Sequence, residues 1–334
     1  MRKVQWGVLS TAQIGTNHVI PAMQKGELSH IAAIASRGLD KAQAAAAALG
    51  IERAYGSYED LLADPAIEAV YNPLPNHLHV PWSLKALEAG KHVLCEKPVA
   101  LTAAEAETLA AAATRTGKVV AEAFMVRHHP QWRIAKEIVD SGRIGAARAI
   151  QTVFAYHLTD PSNIRNQAGI GGGGLYDIGC YAIATARTIF GGEPERVAGL
   201  FDIDPMLGTD RMVSGLAAFG DGRTLGFVCG TQLVPCQRVE ILGTKGRIEI
   251  AIPFNAPNDL PGRIAVDDGR DLTGGGREVI TVPLADQYTL QGDAVSRAIL
   301  REAPLAWGLD DAVANMRVID AFFRAARSGG WERP

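Results

Sequence analysis

Cysteine is scarce: four in 334 residues, at positions 95, 180, 229 and 236. No two form a C-x-x-C pair, so neither a disulfide framework nor a cysteine zinc site is supported, and buried, reduced thiols are expected. The eight histidines include His77/His79 and His128/His129 but no H-E-x-x-H, so no metal is expected. A basic block is missing and the net charge is −3, which argues against a nucleic-acid partner. No stretch reaches the roughly 18 apolar residues of a membrane span. The opening MRKVQWGVLS enters a strand-like run without the longer apolar segment of a secretory signal. A cytoplasmic protein is the expectation.

What is present is apolar and patterned. Hydrophobic residues make up 47% of the chain, and its length suits two domains. The first 120 residues alternate short apolar strands (VQWGVLS, HIAAIAS, IEAVYN, HVLCE, KVVAEAF) with helices, which predicts an α/β, doubly wound parallel sheet. AQIGTNHVIPAMQKG reads as a helix broken near Asn17, because Pro21 lacks an N–H and crowds the carbonyl four residues back. Asp40 is placed to N-cap DKAQAAAAALG and Gly50 to stop it; Ser57 caps YEDLLAD. Thr102 and Glu105 form a capping box.

The pattern changes after one more helix, HHPQWRIAKEIVDSG. From Ala146 six long β-rich runs follow, several separated by hairpin signals such as FGDGR and GTKGR. They predict an α+β region with a mostly antiparallel sheet, one interrupting helix (LYDIGCYAIATARTIFGG) and two closing helices near 288–302 and 309–327. DDGRDLTGGGRE reads as a polar surface loop. The expected division is 1–123 for a dinucleotide-binding domain and 124–334 for a substrate-binding and oligomerisation domain. A sheet covered on one side only leaves a face for a partner copy, so a homodimer or homotetramer through it is expected.

Doubly wound sheets bind ligands at the carboxyl ends of their strands. The first such end holds the G-x-G-x-x-G position as Ser10-Thr11-Ala12-Gln13-Ile14-Gly15, with only the third glycine kept. Ser10 and Ala12 are small enough for backbone to approach a pyrophosphate at a helix N-terminus. At the second end, Ser36-Arg37 replaces the acid that would bind a ribose diol, and Lys41 follows one turn later. A hydroxyl and a guanidinium suit a 2′-phosphate, hence NADP. The third end, YNPLPNHLHV, offers Leu74, Asn76 and His79 for the nicotinamide ribose. The fourth is Glu96-Lys97-Pro98, where the lysine stands at the sheet rim and Glu96 can hold either the ammonium or the ribose. In GIGGGGLYDIGCYAIATA, Asp177 and Tyr181 lie four apart on one helix face. The glycines before them carry no Walker lysine, so a phosphate loop is not supported.

CEKP after the fourth strand, the displaced fingerprint and GGGLYDIGCY together resemble the glucose–fructose oxidoreductase / inositol dehydrogenase / rhizopine-catabolism family. The resemblance spans essentially the whole chain. Tyr181 stands where many members carry histidine, which is similar to the branch containing NADP-dependent D-xylose dehydrogenase and dimeric dihydrodiol dehydrogenase. NIRNQAGIGGGG and EAFMVRHHPQ look like that branch too. The resemblance implies a Rossmann domain, an open sheet in the second domain, a cis bond before Pro98, and Lys97 and Tyr181 as catalytic residues. The expected activity is an NADP-dependent sugar or cyclic-polyol dehydrogenase. Asp177 would assist catalysis, and Asn163, Arg165 and Asp177 would bind substrate hydroxyls beside Lys97 and Tyr181. The rivals are a ketosugar reductase, an aldose–aldose oxidoreductase with bound NADP, and a non-catalytic NADP-binding sensor.

Overall fold

The structure, a computed structural model, describes residues 2–334. By its contacts the chain divides into two units, Met1–Met125 with Tyr288–Met316, and Val126–Gln287 with Arg317–Pro334. No helix among the described residues is long and apolar enough to cross a membrane.

The first unit is built on six parallel strands: β1 (Val4–Leu9), β2 (Ser29–Ala35), β3 (Arg53–Tyr55), β4 (Ala69–Asn72), β5 (His92–Cys95) and β6 (Val120–Glu122). Their order is β3-β2-β1-β4-β5-β6, with β1 flanked by β2 and β4. The order reverses at β1, so the ligand crevice of such a sheet opens at the carboxyl ends of β1 and β4. Helices cover both faces, and the strands are accordingly near-continuous apolar runs. Trp6, Val8, Ile34, Tyr71 and Leu94 are fully buried in this core. Residues from far along the chain complete it. Trp6 Nε1 donates to Ser296 Oγ at 3.1 Å, and the Asp293 carboxylate accepts the Glu27 and Leu28 amides at 3.0 and 2.9 Å.

Three local expectations need correction. The helix after β1 is not broken at Asn17. A π-helical segment, Gly15–Val19, leads directly into Ile20–Gln24, and the Ile20 N–H bonds the Gly15 carbonyl five residues back. The widened turn absorbs Pro21, which has no N–H for the regular ladder. Asp40 is not a cap: the helix starts at Leu39 after Gly38, so Asp40 sits inside the first turn, where the helix dipole favours it. β3 is a sixth strand with no apolar run, three half-buried residues that pair beside β2. Elsewhere the caps are as read. Gly50 ends its helix left-handed at φ 65°, and Ser57 accepts the Asp60 amide. Thr102 accepts the Glu105 amide, while Glu105 reaches the Leu101 amide at 2.9 Å.

The second unit carries eight strands: β7 (Ala147–His157), β8 (Pro194–Ile203), β9 (Asp210–Phe219), β10 (Thr224–Gly230), β11 (Gln232–Gly243), β12 (Arg247–Ile250), β13 (Gly262–Asp267) and β14 (Arg277–Val282). They lie in the order β14-β13-β12-β11-β7-β10-β9-β8, antiparallel except for β7 with β10. Both hairpins signalled in the sequence form, β9–β10 and β11–β12. β13 and β14 add two strands to the six runs, and the polar loop lies between them. One face of β8–β10 buries Val213, Ala217 and Phe227. Phe227 meets Phe322 of the closing helix Leu309–Ser328 edge-on at 5.3 Å. The register puts Leu200 and Leu216 on the other face, 79% and 41% exposed.

Candidate active site

In the first unit the candidate residues gather where β1, β2, β4 and β5 end. Ser10, at the first-glycine position of the fingerprint, has φ 97°, a left-handed conformation that favours glycine. Its amide donates to the Ala35 carbonyl at 3.0 Å, and its Oγ accepts the Ala12 amide at 3.2 Å. The hydroxyl thus closes the turn that a glycine would otherwise make. Thr11 and Ala12 are half-buried along it, and Ile14 packs on the core. At the end of β2, Ser36 is buried, its amide donating to the Tyr55 carbonyl at 3.1 Å. Arg37 and Lys41 are exposed, and neither has an ion pair among the described residues. Burial raises the Tyr58 hydroxyl pKa and the Arg37 charge opposes that rise, so the guanidinium stands near this ring.

Beyond β4, Asn72 donates to the His79 carbonyl at 3.0 Å and to Ser83 Oγ at 3.1 Å. Leu74 is buried and Asn76 half-exposed. His79 is 1% exposed, with its ring nitrogens each 2.7 Å from a carbonyl oxygen, Nε2 from Leu74 and Nδ1 from Pro98. Burial lowers this imidazole to about 4, with the Lys97 ammonium adding to it and the two carbonyl contacts opposing it. His79 therefore joins the β4 loop to the β5 loop from behind.

The Glu96-Lys97-Pro98 loop is held at every step. The Tyr71 hydroxyl donates to Glu96 Oε1 at 2.7 Å, and the Lys97 amide donates to Glu96 Oε2 at 3.3 Å. The Val99 amide donates to Glu122 Oε1 at 2.8 Å, bringing in the end of β6. The Lys97–Pro98 peptide is cis. Lys97 itself is half-buried.

In the second unit, π-helical Leu175–Gly179 runs into the helix Cys180–Phe190, and the two carry Asp177 and Tyr181. Asp177 Oδ2 accepts the Tyr156 hydroxyl at 2.5 Å and Arg165 Nε at 3.0 Å. The Asp177 carboxylate holds the Arg165 guanidinium charged, and the Tyr181 hydroxyl adds to that effect. Burial first, then the Asp177 charge, raises the Tyr156 hydroxyl above the usual tyrosine range. Arg165, Asp177, Tyr156 and Tyr181 therefore form one electrostatic group. Asn163 Oδ1 accepts the Arg165 amide at 3.1 Å, capping the turn that carries Arg165. The Tyr181 ring is 4% exposed, set against Phe154 at 5.7 Å and Phe254 at 5.4 Å. Trp132 stacks on the far side of this cluster, 6.2 Å from Phe254.

Sequence reasoning missed three of these residues. Phe154 and Tyr156 stand two apart in a β-strand and so share a face, a signal present in VFAYHL. Phe254 lies in the loop between β12 and β13, where no periodicity marks it. Chemically the second unit offers a phenol in an aromatic wall beside a fixed guanidinium–carboxylate pair. The first offers an ammonium on a clamped loop and two exposed cations at a strand end.

Residues 4–124 match the family model for the GFO/IDH/MocA oxidoreductase family, NAD-binding Rossmann fold, and residues 132–249 match that for the GFO/IDH/MocA C-terminal domain. An uncharacterized oxidoreductase of Rhizobium meliloti is 48% identical, covering 99% of each chain. The D-xylose 1-dehydrogenase (NADP(+)) 2 of Haloferax volcanii is 36% identical, covering 98% of each. Among solved structures, a 3-ketoreductase from Actinomadura kijaniata in complex with NADP and TDP-benzene superimposes with a TM-score of 0.91 at 30% identity. That match covers 97% of this chain and 98% of the other.

Proposed function

This chain belongs to the GFO/IDH/MocA family of NAD(P)-binding oxidoreductases, and from that premise we propose that it is an NADP-dependent dehydrogenase of sugars or cyclic polyols. The observation that carries the cofactor choice is the pair Arg37, just past β2, and Lys41, in the first turn of the helix that follows, both exposed and with no carboxylate neutralising either among the described residues. A 2′-phosphate is the charge complement of that pair. The Ser10, Thr11, Ala12 and Ile14 turn would hold the pyrophosphate, with Ser36 beside the phosphate cations. Leu74, Asn76 and Glu96 would face the nicotinamide ribose, with His79 supporting them. When bound, the nicotinamide supplies a hydride acceptor.

The chain's own residues do the rest. Tyr181 accepts the proton of the reacting hydroxyl. Lys97 places positive charge by the oxygen that keeps the electron pair. Arg165 and Asp177 bind a neighbouring hydroxyl, with Asn163 holding the Arg165 turn. A ring bearing vicinal hydroxyls is the substrate this set fits, such as a pyranose aldose. The reverse direction, a ketosugar reductase, uses the same groups and is favoured by the likeness to a 3-ketoreductase. An aldose–aldose oxidoreductase or an NADP-binding sensor would differ in cofactor exchange or turnover. The sensor reading is the weaker, since Lys97 and Tyr181 are both kept.

An NADPH-formation assay against aldoses, inositols, cyclic diols and linear alcohols tests this reading. Ring polyols should react with much the higher kcat/KM; comparable values for simple linear alcohols would refute it. Arg37→Ala should weaken NADP binding by about ten- to hundredfold, the effect of losing one charged contact. NAD binding should change little, and equal NADP affinity in the two proteins would remove the phosphate role. We also propose that copies associate through the face carrying Leu200 and Leu216. A monomer at micromolar concentration by light scattering would contradict that.

A further inference from the structure

Gly172 and Gly173 make room for the protein's own atoms. A Cβ on Gly173, whose φ is +118°, would stand 1.9 Å from Asp210 Oδ1. One on Gly172 would meet the Arg165 and Gln167 carbonyl oxygens at 2.6 and 2.8 Å. Asp210 opens β9 and is 4% exposed. Its Oδ2 accepts the Leu175 amide at 2.6 Å, and the Gly174 amide also donates to its carboxylate. Burial raises this carboxyl to about 7, and the amide donors oppose the rise. The glycine segment is bonded in turn to both members of the substrate-side pair. The Gly173 amide donates to the Arg165 carbonyl at 2.8 Å, and the Asp177 amide donates to the Gly173 carbonyl at 3.1 Å.

We propose that Asp210 is a positioning residue: by anchoring the Gly174 and Leu175 amides it fixes the glycine segment, and through it the mutual placement of Arg165 and Asp177. This rests on reading that pair as the holder of a second substrate hydroxyl. Asp210 reaches the pair through backbone amides, so replacing an acceptor oxygen of its carboxyl loosens the pair without touching the groups that bind NADP. The glycine at 173 follows from the same cause. Only a segment free of side chains lets a carboxylate from β9 reach the amides at the start of the helix.

Asp210→Asn keeps the size and replaces one acceptor oxygen by a donor facing an amide. Its kcat/KM for a ring polyol should fall roughly tenfold or more, as for loss of a charged hydrogen bond. For an alcohol with no second hydroxyl it should fall much less, so selectivity shrinks. The Kd for NADP should stay within about twofold. Amide exchange at Gly174 and Leu175 should quicken relative to the helix Cys180–Phe190. A residue serving stability alone would lower both substrates equally. Unchanged selectivity, or unchanged exchange at the two amides, overturns the proposal. If the wild type oxidises no alcohol with either nicotinamide, the dehydrogenase reading falls, and the exchange measurement alone decides about Asp210. If Asp210→Asn does not fold, Gly173→Ala pushes the carboxylate aside instead and should give the same selective loss; wild-type selectivity there overturns the anchor as well.

Discussion

Tyr181→Phe is expected to turn over about 10² to 10⁴ times more slowly than the wild type, the usual worth of a positioned acid–base group. The substitution removes one oxygen and keeps the ring. The contacts with Phe154 and Phe254 that seat the ring are therefore retained. NADP affinity should be unchanged, because the residues assigned to the cofactor all lie in the other unit. The loss should therefore appear in kcat, the sign of an interaction made in the transition state and not in binding. Stopped-flow turnover with the preferred sugar measures it. Near-normal kcat would leave the proton acceptor unidentified and would return Tyr181 to a packing role.

Lys97→Met should cost a similar factor by a different route. Methionine keeps the reach and removes the charge. The loop should hold its shape, because Glu96, Pro98 and Val99 are bonded through Tyr71, His79 and Glu122, none of which needs the ammonium. A free phenol ionises near 10, so acting as a base near neutrality requires about 3–4 kcal/mol of stabilisation of its charged form. If the ammonium supplies that, the variant's pH–rate profile should shift to the alkaline side, and raising pH should restore part of its rate. A rate loss that is flat with pH would instead assign Lys97 to the substrate oxygen alone. Loss of NADP binding would recast it as part of the cofactor cradle. The same charge bears on His79, whose imidazole pKa the Lys97 ammonium helps lower. With methionine there, His79 should protonate at a higher pH than in the wild type.

Much of this was legible in the sequence because the signals are local. Strand ends, caps and the Glu96-Lys97-Pro98 trio each sit within a few residues. The doubly wound sheet follows from apolar runs alternating with capped helices, and the structure has it with one strand more than the runs announce. β3 was silent because three half-buried residues carry no period. The π segment before Pro21 was read as a break, since proline's missing donor is visible in sequence but the backbone's way of accommodating it is not. Long-range pairs were beyond reach. Nothing near Asp177 announces Tyr156, 21 residues earlier, and nothing near the glycines announces Asp210, 35 residues past Leu175. In the structure, what approaches those glycines is a carboxylate and two carbonyls of the same chain.

The division of the chain has a bearing on how this protein can be taken apart. The cofactor-side unit is discontinuous, and its later stretch supplies Ser296 to Trp6 and Asp293 to the Glu27 and Leu28 amides. A fragment ending at Met125 would expose the Trp6 indole N–H and the Glu27 and Leu28 amides just before β2, which are satisfied by residues encoded some 170 codons later. Exchanging nucleotide preference between relatives by cutting and joining genes at that single point would therefore carry over the sheet without its seal. A chimera that behaves would need two junction pairs, so that the 288–316 stretch travels with the first 125 residues.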